Sequence, residues 1–175
     1  MRAPTEVQWR RHLRGAAVAL GLVACAGPAA RMEHGVFRVP ERFRVTVPGP
    51  GWDVTAGSRA DLELRHAATR AGILANVDCG PGRAQPDLAA LTRRLFVGLR
   101  SREVLENGVT AVAGVPAAHA VMEAQVAGDE ERMRVEAFVM KDERCVYDLV
   151  YVAPTGAFAD RRPDFQRFVE SFVKE

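Results

Sequence analysis
The sequence predicts an α+β domain, an antiparallel sheet of about six or seven strands sandwiched by helices. Three observations carry that expectation. Several segments alternate apolar and polar residues at period two, the mark of half-buried strands. Two segments, 86–100 and 163–173, space their apolar residues at helical intervals instead. Segment 145–152 is apolar on both faces, with Tyr147, Leu149 and Tyr151 on one side and Val146, Val150 and Val152 on the other. A strand of that kind belongs at the centre of a sheet, covered on each face by helices.

Residues 1–24 begin with Arg2, Arg10, Arg11 and Arg14 against a single Glu6, followed by the uncharged apolar run 15–24. A basic start, a short apolar stretch and small residues before a break are the parts of an export signal. The run is about half of the ~20 residues that a membrane-crossing helix needs. The tetrapeptide Leu22-Val23-Ala24-Cys25 resembles the lipobox of bacterial lipoproteins: an aliphatic residue, a small or β-branched residue, Gly or Ala, then cysteine. The resemblance implies cleavage before Cys25, diacylation of its thiol (palmitate-type chains) and acylation of its new amino group. Three chains on one residue anchor stably where one is marginal. Ala26 stands where some lipoproteins retained at the inner membrane carry aspartate, so the resemblance favours the outer membrane, with the domain facing the periplasm. The competing reading is an ordinary export signal with an incidental cysteine. Residues 25–37, rich in small residues and led by Gly27-Pro28, are expected as a flexible tether, and 38–175 as a single domain.

Within that domain, 43–47 alternates and is stopped by Pro48-Gly49-Pro50-Gly51. A turn and Trp52-Asp53-Val54 follow, and then 61–66 and 71–79 are expected as an antiparallel pair of strands. In 86–100, Leu88, Leu91, Leu95 and Leu99 form a stripe, and Pro86 and Asp87 suit a first helical turn. Asn107-Gly108, between 103–105 and 109–112, predicts a hairpin turn because both residues tolerate positive φ. Strands over 118–126, 131–140 and 145–152 are joined by polar loops at 127–130 and 141–144, whose Asp142 and Glu143 are expected as solvated charge. In the last helix Phe165, Phe168, Val169 and Phe172 form a core-facing stripe.

A chain of 175 residues, 48% apolar and 26% charged, has enough material for one sizeable core. The formal charge of +2 resides in the first segment, since removing 1–24 leaves 20 basic and 21 acidic residues. Without a basic excess, nucleic acid binding has no electrostatic basis. With Cys25 assigned to the lipid, Cys79 and Cys145 remain, both at strand ends. In an exported protein they predict a disulfide, two buried free thiols being the alternative. His34, His66 and His119 share no metal-ligand spacing, and neither HExxH nor CxxC occurs, so no metal or cofactor is expected. Ser58, Ser101 and Ser171 lack the nucleophile elbow, and neither Lys141 nor Lys174 completes a phosphate loop. No catalytic residue is assigned. Trp52, which follows a Gly-Pro turn, either packs beside the sheet or lines a surface groove.

The span 37–172 resembles the PsbP-like domains, among them the DcrB-type envelope lipoproteins. The resemblance lies in 43–48 running into Gly51-Trp52, in the amphipathic helix before Val104, and in Val112-Ala113-Gly114-Val115-Pro116-Ala117. The hairpins leading to 147–151 and the ending marked by Phe158, Phe165, Phe168, Val169, Ser171 and Phe172 complete it. It implies an antiparallel sheet sandwiched by helices and a non-enzymatic role as assembly factor, partner or accessory protein. The expected function is therefore a lipid-anchored envelope protein whose domain binds another protein or supports an assembly. A small-ligand carrier or stress-response binder using a groove near Trp52 is the alternative, and a hydrolase built on His66 or His119 with a nearby carboxylate the remote one.

Overall fold
Eleven strands and two helices are built from residues 30–125 and 131–175, the part of the chain that the computed structural model describes. The segment 1–24 read as an export signal, Cys25 and the loop expected at 127–130 lie outside the described residues. A four-stranded sheet is formed by β1 (Arg31–Glu33), β2 (Val36–Val39), β3 (Phe43–Thr46) and β11 (Val173–Lys174), in that order. The larger sheet comprises β4 (Trp52–Val54), β5 (Leu62–His66), β6 (Ala71–Cys79), β7 (Arg100–Val112), β8 (Val115–Gln125), β9 (Arg132–Lys141) and β10 (Cys145–Pro154). Its strands run antiparallel in the order β4-β5-β6-β10-β9-β8-β7. The helices are α1 (Leu88–Leu95) and α2 (Phe158–Glu170).

The doubly apolar strand β10 is the fourth of seven, the central position its pattern requires. Its Tyr147, Leu149 and Tyr151 belong to the main core with Phe43, Phe165, Phe168 and Phe172, beneath α2 and the small sheet. Tyr151 stacks on Phe165 at 5.6 Å and Phe43 on Phe172 at 5.8 Å. On the opposite face Val146 packs with Leu91, and Val150 and Val152 pack with Phe96, beneath α1. The large sheet is thus covered by α1 on one side and by α2 with the small sheet on the other.

Four boundaries differ from the sequence expectation. Strand β1 and the first half of β2 lie within the stretch read as tether, and Phe37 is buried in the main core, so ordered structure starts before residue 38. Composition pointed to a linker there because a three-residue strand and a two-residue turn leave no period to detect. Helix α1 is shorter than 86–100: the Asp87 carboxylate caps it by accepting the Ala90 N–H at 2.6 Å, and the chain leaves the helix before Gly98, whose φ is +95°. Asn107-Gly108 is not a turn but lies within β7, paired with Ala120 and His119. The hairpin turns at Ala113-Gly114 instead, where φ is 49° and 78°, the two positive values that a two-residue connection needs. Helix α2 begins before Pro163 and carries it inside, and the Ala159 carbonyl that Pro163 leaves without a helical donor is on an exposed residue open to water.

Candidate functional site
Trp52 is 8% exposed, and its indole N–H donates to Asp164 of α2 at 3.0 Å. It meets His66 edge-on at 5.4 Å, and the Gly51 preceding it has no room for a Cβ, which would lie 2.7 Å from the His66 ring. The tryptophan ties β4 to α2 and takes the first of its two expected places, packed beside the sheet: the side chain faces inward and its polar atom is satisfied inside the protein.

The structure does not bring the three histidines together. His34 occupies the tight turn between β1 and β2 with φ at 50°, and His66 is buried with Nδ1 3.0 Å from the Thr69 hydroxyl. His119 on β8 lies in the other half of the sheet, its Nε2 2.9 Å from Oε1 of Glu136 on β9. Arg162 of α2 reaches the same carboxylate with Nε at 2.8 Å and Nη2 at 3.0 Å. Burial pushes the Glu136 carboxyl up, but the hydrogen bonds from His119 and Arg162 outweigh it and hold the group below its ordinary value. Both oxygens are occupied by donors, so this cluster clamps α2 to the sheet; it is not a base awaiting a substrate. Among the described residues no group of three or more His, Cys, Asp or Glu side chains could hold a metal ion.

Cys79 and Cys145 form a disulfide between directly opposed residues of β6 and β10, with Cα atoms 4.1 Å apart. Beside it, Asp142 is not the solvated loop charge its composition suggested. Its carboxylate accepts the Arg144 and Cys145 N–H groups, each at 2.8 Å, and the Tyr147 hydroxyl at 2.9 Å, and it pairs with Lys174 at 2.8 Å. Burial opposes ionisation there, but these donors win and hold Asp142 well below the usual carboxylate range. A polar hollow of about 950 Å³ opens at this end of the sheet, yet its Lys141 already donates to the Ala84 and Pro86 carbonyls.

Asp148 on the α1 face of β10 is half-buried, and burial together with nearby Asp78 pushes its carboxyl up to about 6. A carboxyl raised in the folded state stabilises below its unfolded value near 4, and that contribution is lost as pH rises through about 6. Asp148→Asn is therefore expected to stabilise the protein by about 1–2 kcal/mol at pH 7.5 and by nothing at pH 4. Urea denaturation at the two pH values checks this, and an equal effect at both would refute it.

An apolar concavity of the described residues lies on the α1 side of the sheet. Helix α1 has eight residues, about 12 Å of helix, and covers only part of the long strands beneath it. Between α1 and β7 a groove of about 480 Å³ remains. Its floor is the same-face series Ala118, Ala120 and Met122 of β8, whose two alanines are too short to fill the space. Leu88 and Phe96 form one wall, and Val104 and Val109 of β7, 60% and 79% exposed, form the other. The volume falls within the roughly 300–1,000 Å³ of small-molecule sites. Sequence reasoning passed over this site because a turn was expected at Asn107-Gly108, which removed β7 as a continuous wall. The alternation Ala118-Ala120-Met122 was the available signal.

No protein-family model matches the sequence, and no curated protein matches it significantly. Solved structures do. Cyanobacterial PsbP (CyanoP) from Synechocystis superposes with a TM-score of 0.57 at 13% identity, over 89% of this chain and 99% of that one. LpqN of Mycobacterium tuberculosis, involved in cell envelope biogenesis, gives 0.58 at 12% identity, over 78% of this chain and 86% of that one. A Bacteroides thetaiotaomicron protein gives 0.59 at 9% identity over 82% of this chain, which spans about half (49%) of that protein's length. At such identities the likeness speaks to fold alone. The fold of this chain is PsbP-like.

Proposed function
We propose that the protein is anchored through lipid on Cys25 in the bacterial cell envelope, facing the periplasm, and that its domain works by binding, with the α1 groove as its binding face. The observation that carries this reading is the groove itself, an apolar hollow walled by exposed valines on an edge strand. Its position supports the reading. Residues 30–32 lie against the β4–β5 connection, at the sheet edge opposite β7. Seven strands put about 29 Å between those edges, so a tether at one leaves the groove at the other free of the membrane. Among the described residues no helix is long and apolar enough to cross a membrane, which says nothing of a barrel. The envelope role of LpqN, a protein of the same fold, is compatible with this assignment.

Two measurements test it. Cys25→Ala is expected to leave the membrane fraction and to lose incorporation of labelled palmitate; a variant that fractionates like the native protein refutes the anchoring. A photoreactive phenylalanine at Val109 is expected to give an adduct in membranes, lipid or protein by mass, whereas one at exposed Asp160 of α2 gives none. No adduct at Val109, or equal ones at both positions, refutes the binding face.

A further inference from the structure
The two ionic characters of β7 are sorted to opposite faces. The register shift between Val104 and Glu106 leaves Leu105 as the extra residue, so Glu103 and Glu106 both point to the α2 side. There Glu103 lies 3.4 Å from Arg132, and Glu106 4.0 Å from Arg162. Among the described residues the charges on the groove side are Arg93 of α1 and Arg102 of β7, and no carboxylate lines the hollow. Both arginines are exposed and, among the described residues, neither has an acidic partner. The groove is therefore apolar inside and cationic at its rim, with its guanidinium forks uncommitted. Such forks match carboxylate and phosphate oxygens.

We infer that this groove binds a single-chain amphiphile with an anionic head, its acyl chain over Ala118 and Ala120 and its head at Arg93 and Arg102. The inference rests on reading the groove as the binding face and adds the class of its ligand. Charge decides against a partner helix seated through apolar contact alone, which would cover both guanidinium forks and give them no acceptor. An added strand is disfavoured at the β7 edge, where two register shifts break the regular row of backbone groups that strand addition uses. A linear chain with an anionic head has neither problem: from Arg102 to Val109 the wall runs about 20 Å, over a floor that includes the two short side chains Ala118 and Ala120.

The test uses the full-length protein in membranes and hexadecanoate carrying a photoreactive group and an alkyne handle. Light-dependent labelling is expected on peptides from α1 and β7. The double variant Arg93→Glu/Arg102→Glu, changed at two exposed positions, should keep the native thermal midpoint and lose labelling about tenfold. The matching photoreactive hexadecanol, which has no charge, should label the same peptides more weakly and respond little to the double variant. Labelling spread over other peptides, or unchanged in the double variant, overturns the inference. If hexadecanoate does not label the groove while the probe at Val109 still gives a protein adduct, the ligand class falls and the binding face stands. If neither labels, both fall.

Discussion

Glu136→Leu is expected to lower the unfolding free energy by about 3 kcal/mol. The carboxylate is 2% exposed and bonded to His119 and Arg162, which come from β8 and α2. Removing it leaves two polar side chains without their acceptor in a largely dry site, and breaking a buried pair from one side costs about 3–5 kcal/mol. The lower end applies because Arg162 is partly exposed and regains some water. Glu136→Gln keeps an acceptor but loses the charge and should cost about half as much. Replacing all three groups by apolar residues of similar size, Glu136→Leu with Arg162→Met and His119→Phe, should recover most of the loss. The pH dependence follows from the direction of the shift. A carboxyl held below its ordinary value stabilises above the unfolded value near 4, and that contribution is lost as pH falls through the folded one. The native protein should therefore lose stability below about pH 4 more steeply than the Leu variant. A single-variant loss below about 1 kcal/mol would show that the cluster does not hold α2 to the sheet.

The parts of the fold that were legible in the sequence are those where one side chain pattern has one solution. Strand β10 had to be central because no edge strand buries Tyr147, Leu149 and Tyr151 on one face and Val146, Val150 and Val152 on the other. The stripe of Phe165, Phe168, Val169 and Phe172 had to face a core, and all four are buried there. The Cys79–Cys145 pairing could be read because both cysteines ended strands of one sheet. What failed was local chemistry overruled by long-range pairing. Asn-Gly is the stronger turn signal in isolation, but a turn at Ala113-Gly114 lets β7 pair with β8 along most of its length, and the extra ladder outweighs the local preference. The site was hidden for a related reason. A groove is made by a short helix and small floor residues, and period analysis registers Ala118 and Ala120 as core without revealing the hollow beside α1 that they line. Glu136 escaped notice as well, since one acid in an apolar strand looks like an outward position until Arg162, 26 residues away, is brought opposite it.

Loss of the disulfide should be the costliest covalent change. Cys79→Ala with Cys145→Ala removes a link between residues 66 apart, and in the chain-entropy model that lowers stability by about 4 kcal/mol. For a domain of ordinary stability this is a large fraction of the whole. The link spans α1 and the β7–β8–β9 meander, all of which form between the two cysteines. The reduced unfolded chain is therefore free to separate β6 from β10, two neighbours at the middle of the sheet whose pairing no short turn enforces. At a urea slope of about 2 kcal/mol per molar, the midpoint should fall by about 2 M, in the double variant and in native protein treated with reductant. The two effects must coincide, because reductant has no other disulfide to act on among the described residues. Native protein unfolded without reductant should take up no alkylating agent at these positions; two equivalents would refute the pairing. The result also bears on where the protein works. A domain that depends this heavily on a link only an oxidising compartment maintains should lose stability when its chain is produced without residues 1–24 in a reducing cytoplasm, and should regain it on oxidation. Full stability in the reduced state would show that the link carries no such energy.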